Sequence, residues 1–285
     1  MGKELLLTID VEDWFQVENL NEAVRFEDWE KYEIRVVDNI NKLLALFRKS
    51  SVKCTFFVLG WIAEKLPGII REIHKNGHEI ANHGYFHKLI FTQSHEEFEY
   101  DIAKSKAILE DIIGEEVIGY RAPSFSITDW AVGLLKKNGF IYDSSYCPTF
   151  LHNRYGKINI KRNSISKNTN KIFRFPNGLI EVPLPTIKFM NISVPWGGGA
   201  YFRLMPYKIF RIGIKRVLNQ KGVYTFYFHP WEIDYKQPRV KNIKLNYKIR
   251  HYRGLKNAYH KLEKLFKEFS FTSIKSYLER IIGGI

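Results

Sequence analysis

The sequence predicts an α/β protein built on a parallel sheet. A continuous apolar run, Leu5-Leu6-Leu7-Thr8-Ile9, opens the chain as expected for a strand buried on both faces. Apolar strands and amphipathic helices then alternate through the first half, which favours a parallel sheet or barrel. In such folds, functional side chains collect at the carboxyl ends of the strands.

The second and third strands are separated by helices. Residues 34–49 carry apolar side chains at helical spacing, and residues 52–59 form the second apolar strand. Residues 61–76 predict a helix with a break near its proline and an end at Gly77, because glycine commonly ends helices. The third strand then leads into His83.

Two further strand–helix units follow in the same order. Ser94 and Glu97 have the spacing of a capping box and predict the start of a helix. Residues 117–120 are the fourth predicted strand, residues 128–138 the next helix, and residues 140–143 the fifth strand.

The second half of the chain has a different pattern. Residues 147–200 are loop-rich, are basic around 161–163, and contain the glycine-rich, aromatic segment Trp196–Phe202. No Gly-Lys-Ser/Thr follows these glycines, which disfavours a phosphate loop, so we expect a flexible aromatic flap over a cleft. Residues 223–228 predict the strongest late strand, and residues 254–281 a lysine-rich helical tail.

Composition narrows the classes of function. The formal charge of +14 indicates either an anionic partner or a lysine-rich surface with no special role. Two cysteines do not indicate a disulfide scaffold and favour a reducing compartment. Neither a secretory signal nor an apolar run of ~18 residues is apparent. We therefore expect a soluble, cytoplasmic protein, with an anionic membrane as a candidate peripheral partner.

Two histidines four residues apart, His83 and His87, mark the first candidate site. On one helical turn they would share a face, and neutral imidazole is the commonest metal ligand. Two histidines and a carboxylate can hold Zn²⁺ with one position open for water. A surface turn that happens to carry two histidines is the alternative.

Three acids, Asp10, Glu12 and Asp13, follow the first strand. Their charges would be costly to bury without partners, and a metal cation would relieve their repulsion. Asp10 and Glu12 point to the same side of an extended chain, so one could bind metal while the other accepts a proton. A helix N-cap cluster is the alternative, since acids favour helix starts.

Arg121, His229 and Asp143 each lie at the end of a predicted strand. Arg121 cannot lose its proton and could hold Asp10 ionised. His229 ends the last strong strand, where an acid facing the metal is expected, and Asp143 could pair with it to keep it protonated. As a lone histidine at a strand end, His229 would more often be structural.

Five motifs occur in order along the chain: Asp10-Val11-Glu12-Asp13, His83 to His87, Arg121 to Phe125, Asp143-Ser144-Ser145, and Phe228 to Trp231. Together they resemble the motifs of the polysaccharide deacetylase family (NodB homology, carbohydrate esterase family 4). The resemblance covers about residues 5–232 and implies a distorted (β/α) barrel of about seven parallel strands. Residues 1–285 would then be one domain, with a loop-rich insertion and a C-terminal extension over 233–285.

The resemblance implies hydrolysis of an N-acetylated sugar with a divalent metal, usually Zn²⁺. By position, Asp10 matches the general base, Arg121 the residue that tethers the base, His229 the general acid, and Asp143 the partner of the acid. The Asp-Val-Glu-Asp-Trp opening and the glycine-rich loop are most similar to the branch linked to exopolysaccharide and lipopolysaccharide gene clusters.

His83 and His87 match the metal ligands of the family. The third ligand is Glu12 or Asp13, because Val11 stands where the commonest family pattern has a second aspartate directly after the base. Glu12 is favoured by its position and by the same-face argument, and Asp13 is the rival.

Four aromatic residues are the predicted substrate contacts: Phe125, Trp196, Tyr201 and Trp231. The expected partner is an N-acetylated glycan, either polymeric or lipid-linked. Three alternatives remain: a C–N hydrolase of a small amide, a non-catalytic glycan- or membrane-binding relative, and a nucleic-acid-binding protein. The last is disfavoured because no zinc-finger or RNA-binding motif is present.

Overall fold

One curled sheet organises the computed structural model, which describes residues 3–149, 151, 155–159 and 172–283. The basic segment at 161–163 lies outside the described residues. The described strands are β1 (Glu4–Val11), β2 (Thr55–Val58), β3 (Glu79–Asn82), β4 (Gly119–Tyr120), β5 (Tyr142–Asp143), β6 (Phe173–Arg174), β7 (Ile180–Glu181), β8 (Thr186–Phe189), β9 (Ile192–Pro195) and β10 (Val223–Phe228).

The main sheet has the order β10-β1-β2-β3-β4-β5-β7-β6. Its first seven strands are parallel, and β6 pairs antiparallel with β7 at one edge. The edge strands β10 and β6 do not pair within the described residues, so the sheet forms a half-barrel. The predicted α/β class with about seven parallel strands is confirmed. Strands β8 and β9 form a separate hairpin.

The helices are α1 (Val36–Lys49), α2 (Gly60–Lys65), α3 (Pro67–Lys75), α4 (His95–Ile113), α5 (Asp129–Lys137), α6 (Gly199–Leu204), α7 (Tyr207–Lys221), α8 (Leu245–Tyr252), α9 (Leu255–Glu268) and α10 (Ile274–Ile282). None of the described helices is both long enough and apolar enough to pass through a lipid bilayer.

Local signals set several helix ends as predicted. The Ser94 hydroxyl accepts the Glu97 N–H, and the Glu97 carboxylate accepts the Ser94 N–H, which completes the capping box of α4. The same helix ends at Gly114, whose φ of +72° is the left-handed conformation that glycine adopts without strain. The predicted break at Pro67 separates α2 from α3.

The inner face of β1 connects the core to the candidate site. At one end Leu6 packs with Ile274 and Leu278 of α10. Thr8 and Asp10 follow on the same side, because alternate residues of a strand share a face. One strand therefore carries apolar packing at its beginning and carboxylates at its end.

Candidate active site

Glu12, His83 and His87 converge beyond the ends of β1 and β3. Glu12 Oε1 lies 3.3 Å from His83 Nε2 and 3.0 Å from His87 Nε2. One ligand atom from each residue lies within 4.8 Å of the others, and all three residues are buried. The structure thus brings together two imidazoles and one carboxylate, the ligand types predicted from the sequence.

The orientation of His83 shows why this set suits a cation. His83 Nδ1 lies 2.8 Å from the Arg121 carbonyl oxygen, which can only accept, so Nδ1 carries a proton. In the neutral ring, Nε2 then directs its lone pair towards Glu12 Oε1, another acceptor. A proton or a metal ion must lie between such groups, and the set therefore fits a divalent metal.

The charges of the neighbouring imidazoles determine the direction in which the pKa of the Glu12 carboxyl group shifts. Burial would raise the pKa of Glu12, but the charges of His87 and His229, with hydrogen bonds from His83 and His87, hold it well below its usual value. Conversely, burial would lower the pKa of His87, and Glu12 raises it instead. The two shifts thus favour a negative Glu12 and a positive His87.

The loop that carries His87 is not the predicted helical turn. Gly84 has a φ of +71° and His87 a φ of +53°, which breaks helical geometry after β3. Asp101 of α4 holds this loop, since its carboxylate accepts the N–H groups of Tyr85 and Phe86 at 3.0 Å. Asp101 was missed because a single aspartate within a helix carries no motif.

Asp13 is not part of the metal cluster. Its Oδ2 accepts the N–H groups of Arg35 and Val36 at 2.7 and 2.9 Å, and its Oδ1 accepts the Trp14 N–H at 2.8 Å. Burial raises the pKa of Asp13 to about 6 in spite of these bonds. The prediction of Asp13 as a rival third ligand is therefore wrong, because its carboxylate caps the start of α1.

Asp10 is held by Arg121 as predicted. Arg121 Nη1 lies 2.6 Å from Asp10 Oδ1, and both side chains are buried. The guanidinium also donates to Thr8 Oγ1 at 2.7 Å and to the carbonyl and hydroxyl oxygens of Ser144 at 2.9 and 2.8 Å. The other oxygen of Asp10, Oδ2, lies 3.8 Å from His229 Nε2. The structure thus brings Asp10, Arg121 and His229 to one place.

His229 pairs with Glu232, a residue that the sequence reasoning missed. His229 Nδ1 lies 2.9 Å from Glu232 Oε2, and Glu232 Oε1 accepts Arg203 Nε at 2.6 Å. Burial would lower the pKa of His229, but Glu12, Glu232 and Asp10 together raise it to about 9. This shift favours the protonated imidazole, which is the form that can act as an acid.

Arg203 joins this pair to the C-terminal part of the chain. Its Nη2 donates to the Arg250 carbonyl oxygen at 2.7 Å, and its Nη1 donates to the Arg253 carbonyl oxygen. Both Arg203 and Glu232 are buried. The only sequence signal for Glu232 is its position three residues after His229, just beyond the Phe-His-Pro-Trp motif.

Asp143 is not the partner of His229. It lies on β5 opposite Glu181 of β7, and its Oδ1 accepts the Ser145 hydroxyl at 2.5 Å. In the sheet order, β1 to β4 separate β5 from β10, the strand that leads into His229. The predicted pairing is therefore wrong, because the two residues follow strands at distant positions in the sheet.

Several side chains of the site face one cavity. Its lining includes Asp10, Glu12, His87, Phe125, His229 and Trp231. Two of the predicted substrate contacts, Phe125 and Trp231, are thus placed at the site. Trp231 also stacks on His229 with ring centroids 5.3 Å apart. Its Nε1 is buried without a hydrogen-bond partner among the described residues, which leaves a donor for a ligand or water.

Trp196 and Tyr201 are not among the described residues that line this cavity. Trp196 stacks on Phe210 of α7 and donates from its Nε1 to the Phe210 carbonyl oxygen at 3.0 Å. A Cβ on Gly198 would lie 1.9 Å from the Tyr227 carbonyl oxygen, so glycine is required for close packing on β10. The glycine-rich segment is thus a packed connection, and the predicted flap is wrong.

Two family models match the chain. Residues 23–142 match the polysaccharide deacetylase model, and residues 144–279 match a domain of unknown function (DUF3473). The second match covers the part of the chain that supplies Arg203, His229 and Glu232.

Curated relatives resemble part of the chain. A peptidoglycan deacetylase from Helicobacter pylori is 32% identical over 41% of this chain and 38% of its own length. A peptidoglycan-N-acetylglucosamine deacetylase from Bacillus cereus is 30% identical over 36% and 43%. A chitooligosaccharide deacetylase from Azorhizobium caulinodans is 32% identical over 33% and 45%. The chain thus spans less than half the length of each of these relatives.

Solved structures share the whole fold. One from Mycobacterium smegmatis, provisionally described as a polysaccharide deacetylase, has a TM-score of 0.59 at 18% identity and covers 99% of this chain and 91% of its own. A carbohydrate esterase family 4 pseudoenzyme from Bacillus anthracis has a TM-score of 0.51 at 14% identity, covering 97% and 66%. Such identities show the fold alone. Residues 23–142 thus carry a polysaccharide deacetylase domain, and the solved structures show that a fold of this kind extends over nearly the whole chain.

Proposed function

We propose that this protein is a metal-dependent hydrolase that removes N-acetyl groups from an amino sugar in a polysaccharide or lipid-linked glycan and releases acetate. The supporting observation is the position of Asp10 Oδ2 and His229 Nε2, 3.8 Å apart and beside the Glu12–His83–His87 cluster. A non-catalytic glycan-binding relative would have no need for a tethered base and a protonated acid beside a metal-ligand set.

Glu12, His83 and His87 would hold the metal ion, and two imidazoles with one carboxylate favour Zn²⁺. When bound, the ion supplies Lewis-acid polarisation of the acetamide carbonyl and a lowered pKa for water. The chain itself provides the groups that move protons, as follows.

Asp10, oriented by Arg121, accepts a proton from water at Oδ2 while the water oxygen bonds to the acetyl carbon. His229 gives its Nε2 proton to the sugar nitrogen as the C–N bond breaks. Glu232 keeps the other nitrogen, Nδ1, protonated and the ring charged. One water is consumed, and the products are acetate and a free amino sugar.

Several finer assignments belong to the same proposal. The Asp-Val-Glu-Asp-Trp opening favours a glycan of an exopolysaccharide or lipopolysaccharide pathway, either lipid-linked or polymeric. Phe125 and Trp231 line the cavity and would pack on the sugar. Because Arg203 binds Glu232 and backbone carbonyls beyond residue 249, we treat residues 1–285 as one domain.

The test is acetate release from a panel of N-acetylhexosamine oligomers and lipid-linked N-acetylated sugars, with and without a chelator. We expect release from at least one member of the panel, loss with chelator, and recovery on adding Zn²⁺. Tight metal binding without acetate release from any member would contradict the proposal. Release from small non-sugar amides alone would favour the alternative C–N hydrolase.

A further inference from the structure

The β8–β9 hairpin and α7 belong to a segment of the chain that contains no acidic residues. From Val182 to Trp231 every charged side chain is Lys or Arg. The whole chain contains 30 acidic residues, so this gap is a local property and not a general shortage of acids. The gap includes β8, β9, α6, α7 and β10.

The tip of the hairpin exposes three large apolar side chains. Met190 is 86% exposed, Phe189 66% and Ile192 52%. Phe189 pairs with Ile192 across the turn, so the three side chains form one cluster. Single exposed apolar residues are common on soluble proteins, but a cluster at a hairpin tip marks a contact surface. Lys188, also exposed, directly precedes the cluster.

Helix α7 continues this surface and packs against β8. It exposes Ile209 and Ile212, at 51% and 62%, while its opposite face is buried. Lys208, Lys215 and Arg216 are exposed beside these isoleucines at helical spacing. The helix therefore presents a mixed apolar and basic face to solvent. Hereafter, the docking face means the hairpin residues 188–192 together with the exposed side of α7.

We propose that the docking face binds the surface of an anionic lipid bilayer. The apolar tip would enter the headgroup region, and the lysines would lie against the lipid phosphates. Apolar insertion combined with basic charge is what an interfacial element requires, and each Lys or Arg near an anionic leaflet contributes about 1 kcal/mol. A second copy of the same face would meet charge of its own sign, and nucleic acid would leave the apolar tip without a partner.

The docking face is joined to the candidate active site by the chain. Gly199, Ala200 and Arg203 of α6 lie between the hairpin and α7, and all three line the catalytic cavity. Part of the cavity lining therefore lies within a few residues of the docking face along the chain. The docking itself does not depend on catalysis and can be measured on protein that is not turning over.

The experiment is co-sedimentation of the full chain with vesicles of phosphatidylcholine alone or mixed with phosphatidylglycerol. We expect binding to the mixed vesicles, weakened by salt. The variant F189S/M190S should bind at least about tenfold more weakly, because two apolar side chains no longer enter the headgroup region. K208Q/K215Q should lose about fivefold per lysine on the mixed vesicles. I209N/I212N tests the same face through α7 if the hairpin variant does not fold.

The matched control is Tyr100→Ser, which removes a side chain that is 59% exposed on α4, outside the docking face. It should bind the mixed vesicles like the parent. Equal binding by F189S/M190S and the parent, or equal binding to both vesicle types, would overturn the proposal. The proposal would also be overturned if the parent did not bind vesicles but formed a dimer that F189S/M190S abolished. The same holds if the parent did not bind vesicles but bound an oligonucleotide, and F189S/M190S retained that binding.

Discussion

Two sets of buried carboxyl groups lie at the carboxyl ends of the strands, and they differ in charge state. Glu12 lies among imidazoles, whose charges outweigh burial and hold its pKa well below the usual value. Asp143 and Glu181 lie opposite each other on β5 and β7, and burial raises the pKa of both. Burial is similar in the two sets, so the neighbours decide which carboxyl is charged.

This difference separates the proposed reactive set from a structural one. The first set combines Glu12, whose pKa is lowered, with His229, whose pKa is raised to about 9. In the second, each of Asp143 and Glu181 has one buried oxygen without a hydrogen-bond partner in the described structure, as expected when two carboxyls share a proton. Both sets follow parallel strands of one sheet, so position alone did not distinguish them.

The largest effect is expected from His83→Ala, which removes one of the two imidazoles of the reactive set. Metal content and acetate release should be lost together, because the remaining histidine and Glu12 leave an incomplete ligand set. Elemental analysis and an acetate assay measure the two. His260→Ala, which removes an exposed histidine on α9, is the control and should change neither. Full turnover by metal-free His83→Ala would refute the assignment.

The next largest effect is expected from Asp10→Asn. Metal should remain bound, because Asp10 is not in the ligand cluster, while kcat should fall about 10²–10⁴-fold with the loss of the base. Metal content and kcat are measured on the same preparation. Loss of metal from this variant would instead place Asp10 among the ligands.

A smaller effect is expected from Glu232→Gln, which tests the partner of His229. We expect kcat to fall about 10–100-fold with KM little changed, because the Glu232 carboxylate orients the imidazole through its Nδ1. Glu232→Asp should restore part of the loss, and Glu263→Gln on α9 is the control. If Asp143→Asn lowered kcat while Glu232→Gln did not, the original pairing of His229 with Asp143 would be right.

The smallest effect concerns stability. The pKa values of Asp143 and Glu181 are raised in the folded state. At pH values just above the ordinary pKa of a carboxyl group, the folded state therefore binds more protons than the unfolded state. The free energy of unfolding should therefore fall as pH rises through the raised values, by at most about 1.4 kcal/mol per pH unit for one proton. Asp143→Asn should flatten this dependence. Urea unfolding across the acidic and neutral range measures it, and an unchanged slope would argue against the shared proton.

The parts of the fold predicted correctly depend on neighbours in sequence. Three such features act within a few residues: the apolar run that forms β1, the capping box at Ser94 and the break at Pro67. Asp10 and Glu12 share a face because they lie two apart in an extended chain. These features can be read from sequence because local geometry determines them.

The errors arose where distant segments meet. Asp13 caps α1 because Arg35, 22 residues later in the chain, lies next to it. The sequence around the acids after β1 does not predict this contact. The glycines near Trp196 suggested a flexible flap, yet they are needed for contact with β10. Glu232 lies only three residues from His229, but its role depends on Arg203, which approaches from α6.

Arg203 also makes the His229–Glu232 pair dependent on the connection between α8 and α9. If a protease cut the chain between α8 and α9, the carbonyl groups of Arg250 and Arg253 could move away from the guanidinium. The loss of such a charged hydrogen bond costs about 1.5–3 kcal/mol, and Arg203 could then shift and release Glu232. We therefore expect cleavage near residue 253 to disturb the His229–Glu232 pair while the Glu12–His83–His87 cluster stays intact.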